Sequence, residues 1–188
     1  YVTDIKHDDE VAGYDLHVAV DCSDLKRLGK YSKFFNKIEN TICIDHHKTK
    51  SDYAKLIHNE IVSSAALIIY HYIKDFSKID KDIACALYAG ISSDTGCFMH
   101  QNTTSEALRI SAELIDYGFD LYEANENLFK YTTLSKFKLT KKAYETAEFF
   151  ANGKIGMFKL TKADMTETGA DISDTTGLFN LITNVNSC

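Results

Sequence analysis

The residues best suited to chemistry are Asp45-His46-His47, with Asp21 upstream and Asp94 downstream. Carboxylate oxygens and imidazole nitrogens together form a donor set for a divalent ion. No paired thiolate accompanies them, which favours Mn2+ or Mg2+ over structural zinc. Two such ions about 4 Å apart can activate a water and clamp the oxygens of a phosphoryl group. Taken singly, each residue is weak. Asp21 suits a loop or helix cap, Asp94 suits a turn before Gly96, and a His-His pair means little among seven histidines. The chemistry requires that the chain bring them together.

The elements around them are placed to do so. Residues 16–20 form an apolar, β-branched run closed by Asp21, and residues 41–44 form a second closed by Asp45. Between them Ser23 is a candidate cap for a helix carrying Leu25, Leu28, Phe34, Phe35 and Ile38. Strand, helix, strand predicts a parallel βαβ unit, and open parallel sheets bind ligands at the carboxyl ends of their strands. Residues 53–57 read as a further strand. Ser63 or Ser64 caps a helix through Ile73, and residues 81–91 form a buried helix that delivers Ser92-Ser93-Asp94-Thr95-Gly96. Thr103 or Thr104 opens the next helix, which Gly118 ends. Two more helices follow at 121–129 and 135–150, then an alternating strand at 154–160 and a short helix at 174–183. The change of pattern near Gly153 predicts a domain boundary.

Composition bounds the partners. The net charge of −6 argues against long nucleic acid, which is bound through many Lys and Arg contacts to phosphate. No apolar run approaches the roughly 20 residues that span a bilayer. The five cysteines (Cys22, Cys43, Cys85, Cys97, Cys188) are odd in number and contain no Cys-x-x-Cys pair, which favours a reducing cytoplasm over a disulfide framework. The chain begins at Tyr1 without an initiator Met and stops at Cys188, as expected of a piece of a longer protein.

Val20-Asp21, Asp45-His46-His47 and Gly90-Ile91-Ser92-Ser93-Asp94-Thr95-Gly96 resemble, in order and interval, successive motifs of the DHH phosphoesterase superfamily. The stretch 86–91, with Phe98 and Asn102-Thr103-Thr104, resembles the oligoribonuclease (nanoRNase) and pAp phosphatase branch. The resemblance implies an α/β fold: a parallel-sheet DHH-type domain over 1–130 with helices on both faces, a linker helix at 131–153, and the start of a second α/β domain at 154–188. It implies an Mn2+-dependent hydrolase, with Mg2+ as the alternative ion, acting on short oligoribonucleotides or a nucleoside 3′,5′-bisphosphate. Asp21 would bridge two ions, and His46 and Asp94 would bind one of them. His47 would meet the scissile phosphate, and Asp45 would orient the histidines from behind. A homodimer is a further expectation, since family members often dimerise.

Two departures qualify this. The family's His-x-Asp-x-Asp motif is absent, and Asp8-Asp9-Glu10, in a polar stretch with the wrong spacing, is no substitute; its Gly-Gly-Gly-His motif is absent as well. The chain alone is therefore expected to bind metal poorly and turn over little. Ala65-Ala66-Leu67 and Met99 also replace residues common among relatives. Alternatives in view are a cyclic-dinucleotide phosphodiesterase, an exonuclease, a pyrophosphatase, a non-catalytic nucleotide-binding module and a receiver-like domain; the last would need a strand-end lysine that is not found. His58, His71, His100, Tyr70, Tyr72, Phe149 and Phe150 read as packing or surface residues, and Lys136, Lys138, Lys141 and Lys142 as a solvated helix face.

Overall fold

Strand β1 (His17–Val20) pairs in parallel with β2 (Thr41–Asp45), His17 opposite Thr41 and Val20 opposite Ile44. On its other side β2 pairs in parallel with β3 (Leu56–Asn59), which brings Asp45 opposite Asn59. The computed structural model describes residues 14–185 apart from Asn36, Lys50 and Ser77, so Asp8-Asp9-Glu10 and Cys188 lie outside the described residues. Because all three strands run the same way, their carboxyl ends meet at one edge of the sheet. Side chains alternate between faces. Ala19 is buried with Cys22 and Phe35 on one face, while Val20 faces a groove lined by Ala65, Ala66 and Ile69 on the other.

The first crossover is not the continuous helix that the spacing predicts. A 3-10 stretch, Leu25–Tyr31, is capped by Asp24 rather than Ser23; Gly29, at φ +54°, breaks it before α1 (Ser32–Phe35) begins. The third strand starts later than residue 53. Tyr53 turns inward, donates its hydroxyl to the Cys22 carbonyl at 2.5 Å and packs its ring on Phe35.

Helix α2 (Ala65–Ile73) is capped by Ser64, and α3 (Lys81–Asp94) by Asp80. The latter runs to Asp94 itself, past the expected end at Ile91, because Ser92 and Ser93 sustain the helical ladder. Thr95 then closes it by returning its hydroxyl to the Ile91 carbonyl at 2.7 Å. Helix α4 (Ser105–Ile115) is capped by Thr104, and α5 (Leu121–Asn125) passes into a π-type turn at Glu126–Lys130, so the helix expected over 121–129 is interrupted. Leu67, Tyr70, Leu87, Ile91, Ile110 and Leu114 pack as one core among α2, α3 and α4. Tyr70 is buried there with its hydroxyl on Glu113, whereas Tyr72 stays half-exposed.

The chain divides into two compact units, 1–129 and 130–188. The second contains α6 (Leu134–Glu145), an antiparallel pair β4 (Glu148–Phe150) and β5 (Ile155–Met157), α7 (Lys162–Thr168) and α8 (Asn180–Thr183). The helix expected to reach residue 150 stops at Glu145. Phe149 and Phe150 favour extended backbone, and Ala151, Asn152 and Gly153, all at positive φ, turn the chain into β5. Both phenylalanines remain half-exposed, against the packing expected of them. Helix α7 has no apolar stripe to announce it; its signal is the reciprocal cap between Thr161 and Asp164, with Gly169 at φ +69° ending it. In place of a helix from 174, Ile172–Thr175 forms a 3-10 turn in which Asp174 accepts from Thr133 and Ser135. Of the lysines read as solvated, Lys142 pairs with Glu167 at 3.0 Å and Lys136 donates to the Thr176 carbonyl at 2.8 Å. Among the described residues no helix is long and apolar enough to cross a membrane.

The approach of α2 to α3 decides where Asp94 stands. A Cβ at Gly90 would lie 2.8 Å from the Cβ of Ala66, nearer than two carbons can sit. Gly90→Val should therefore push the helices apart and lower stability by about 1–3 kcal/mol, the usual cost of overpacking. Thermal or denaturant unfolding reads this; an unchanged midpoint would show that the crossing is not tight.

Candidate metal centre

Asp21 is the first residue after β1, and its amide donates to the Ile44 carbonyl at 2.9 Å, extending the parallel ladder by one step. Its φ of +56° turns the chain there. Aspartate is among the few non-glycine residues that tolerate this region. The carboxylate is 46% exposed beside the end of β2.

Beyond β2 the two histidines are held differently. His46 Nδ1 meets the carbonyl of Val62 at 3.1 Å, just before the cap of α2. A carbonyl only accepts, so Nδ1 carries a proton and Nε2 is the nitrogen left to face the carboxylates. His47 Nδ1 lies 2.7 Å from Oδ1 of Asp45, whose side chain is 1% exposed. Asp45 therefore orients His47 alone. The expectation is that it stands behind both histidines; in the structure His46 Nδ1 meets the Val62 carbonyl instead. Asn59, opposite Asp45 across β2 and β3, donates to the His47 carbonyl at 3.1 Å and steadies the same turn.

His46 Nε2 stands between two carboxylates, 3.2 Å from Asp21 Oδ1 and 3.4 Å from Asp94 Oδ2. Two donors about 2.1 Å from one ion stand about 3.0 Å apart at right angles and about 3.4 Å apart at a tetrahedral angle. Both observed separations fit neighbouring ligands of a single cation. His47 is farther out, its Nδ1 3.8 Å from Asp21 Oδ1 and already engaged by Asp45, although a ligand atom of Asp21, His46 and His47 can be chosen so that all lie within 4.8 Å. The other oxygen of Asp45 is buried without a hydrogen-bond partner among the described residues. Such an atom calls for a proton or a positively charged neighbour. The donor types and their spacing suit a divalent ion.

The electrostatics agree. Burial pushes the Asp94 carboxyl above its ordinary value and the charge of Asp21 pushes it further, while His46 and His47 pull it back. Asp94 also occupies the last turn of α3, where the helix dipole presents negative charge and favours a cation. The fold thus spends stability to gather negative charge at one point.

The structure brings together Asp21, Asp45, His46, His47 and Asp94. His71 and His58 lie elsewhere, against Glu106 and Tyr72. His100 is adjacent: its Nδ1 is 3.4 Å from the Asp94 carbonyl and its ring lies against Gly96. Asn59, Ser63, Asn102 and the Val62 carbonyl were not singled out as site-shaping groups from sequence. Only Ser63, as a candidate cap, and Asn102, within a motif, carried any signal.

Comparison with known proteins places the same elements in context. No protein-family model matches the chain. It is 30% identical over 147 residues to the bifunctional oligoribonuclease and PAP phosphatase NrnA of Bacillus subtilis, covering 76% of this chain and 46% of that one. The protein of the same name from Thermus thermophilus is 30% identical over 146 residues, covering 75% and 43%. The chain thus spans less than half the length of these relatives. In structure it is similar to an exopolyphosphatase-related protein from Bacteroides fragilis, with a TM-score of 0.84 at 22% identity over 96% of this chain and 54% of that one. A putative family II inorganic pyrophosphatase from Methanococcus jannaschii gives a TM-score of 0.53 at 22% identity over 90% and 58%. At these identities the structural likeness concerns the fold.

The raised Asp94 carboxyl has a measurable consequence. A carboxyl whose folded pKa lies above its unfolded one favours the folded state below the ordinary value of about 4, and that contribution is lost as pH rises through the raised value. Asp94→Asn cannot ionise, so it should raise the Tm of the metal-free protein at pH 7, with the gain shrinking as the pH is lowered towards 4. Thermal unfolding in chelator measures it; a lower Tm for the variant at pH 7 would contradict the assignment of strain to this carboxylate.

Proposed function

Because the chain belongs to the DHH phosphoesterase superfamily, we propose that Asp21, His46 and Asp94 hold a divalent ion, Mn2+ before Mg2+, in a phosphoesterase site. The proposed substrates are short oligoribonucleotides and nucleoside 3′,5′-bisphosphates such as pAp. The observation that carries this reading is His46 Nε2 set between two carboxylates at 3.2 and 3.4 Å. The names of the Bacillus and Thermus relatives support the substrate class.

When bound, the metal supplies charge neutralisation at phosphate oxygens and an activated water. The protein's own groups do the rest. Asp21, half-exposed at the rim, would be the residue shared with a second ion in the full-length protein. Asp45 holds His47 through Nδ1, which would leave Nε2 to meet a phosphate oxygen. The buried carboxylate fixes the ring, so that His47 can donate a hydrogen bond to a phosphate oxygen. Three donors are few for one ion of this kind. The activity is therefore assigned to the full-length protein, and the 188-residue chain alone is expected to turn over little.

With Mn2+, full-length protein should release mononucleotides from a short RNA and phosphate from pAp. His46→Ala or Asp94→Ala should abolish both, and undiminished hydrolysis by either variant would sink the site. Asp45→Asn keeps the side-chain volume but weakens the hold on His47. It should cost about 10- to 100-fold in activity, the usual effect of removing a supporting partner. A parallel assay on cyclic dinucleotides and pyrophosphate separates the alternative substrates.

A further inference from the structure

The segment that joins Asp94 to α4 is held in an unfavourable shape. Gly96, Cys97 and Phe98 have φ of +55°, +55° and +63° in succession. Side chains at the last two disfavour this left-handed conformation, which persists only where the surroundings enforce it. Thr95 contributes, accepting from the Phe98 amide at 3.2 Å, as does the Cys97 amide bonded to the Ser92 carbonyl at 2.8 Å. Two residues reach out of the segment to Ser63: Thr104, whose hydroxyl lies 3.2 Å from the Ser63 hydroxyl, and Asn102. Its single amide nitrogen donates both to the carbonyl of Ser63, at 3.0 Å, and to the carbonyl of Asp94, at 3.1 Å. In return the Ser63 hydroxyl donates to the Asn102 carbonyl at 2.6 Å.

Those two carbonyls are not arbitrary. Ser63 is 1% exposed and directly follows Val62, whose carbonyl fixes His46. The other carbonyl belongs to Asp94 itself. One side chain therefore ties the residue next to the carbonyl that orients the imidazole to the residue that supplies the carboxylate. We propose that Asn102 is a positioning residue that sets the spacing between His46 and Asp94, an inference that rests on the metal-binding reading above. An amide is required because both partners are acceptors. An aspartate of the same shape would set its oxygens against two carbonyls.

The test uses full-length protein carrying Asn102→Asp or Asn102→Ala, titrated with Mn2+ while free Mn2+ is followed by electron paramagnetic resonance. Tm is measured alongside in chelator. The expected result is a Kd for Mn2+ raised by about 10- to 100-fold in protein that is still folded. An unchanged Kd, even with a lowered Tm, would make Asn102 a merely structural residue and overturn the proposal. Should either variant not fold, Asn102→Ser reads the same link, since a short hydroxyl cannot span the two carbonyls that the amide joins. A raised Kd there supports the tie and an unchanged one overturns it. If wild-type protein takes up no Mn2+, the metal reading itself has failed and this inference falls with it.

Discussion

The bond from His46 Nδ1 to the carbonyl of Val62 is the constraint on which the site depends. It ties the end of β2 to the mouth of α2, puts a proton on Nδ1, and leaves Nε2 aimed at two carboxylates. Everything else must respect that position. The β1–β2 register brings Asp21 to one side of the ring, and the length of α3 brings Asp94 to the other. A backbone carbonyl is a robust anchor, because no side-chain substitution removes it. It is only as well placed as the segment that carries it.

That placement is a packing matter. Helices α2 and α3 approach so closely at Ala66 and Gly90 that only a hydrogen fits between them. Ala65 is buried and Ala66 faces the glycine. Small side chains bring the two helix ends near each other without distorting the core of Leu67, Leu87 and Ile91.

The site gathers negative charge against its own stability. Asp21 and Asp94 repel each other across His46, Asp94 is partly desolvated at the negative end of α3, and Asp45 keeps one buried oxygen without a hydrogen-bond partner among the described residues. A structure built only to be stable would relieve these strains with amides or apolar side chains. Their presence together at the carboxyl ends of parallel strands is what a cation site needs: electrostatic work done in advance by the fold.

Much of this was legible in the chain. The apolar runs closed by Asp21 and Asp45, and the buried helix leading to Asp94, follow from periodicity and from burial of apolar surface, which act locally. The boundaries that failed have local causes too, but weaker ones: Gly29 breaking the first crossover, Tyr53 turning inward, Phe149 and Phe150 pairing as a strand. The partners of the histidines were not legible. Asp45 lies next to both His46 and His47 in sequence, yet it serves only His47, while His46 takes a carbonyl sixteen residues away. What the sequence determined by itself was the set of donors and the strand and helix ends that carry them, because side-chain chemistry and hydrophobic period are written residue by residue. Which donor faces which, and what holds each ring, was decided only by tertiary structure, because hydrogen bonds to backbone carbonyls depend on where distant segments pack and not on the residue type that offers them.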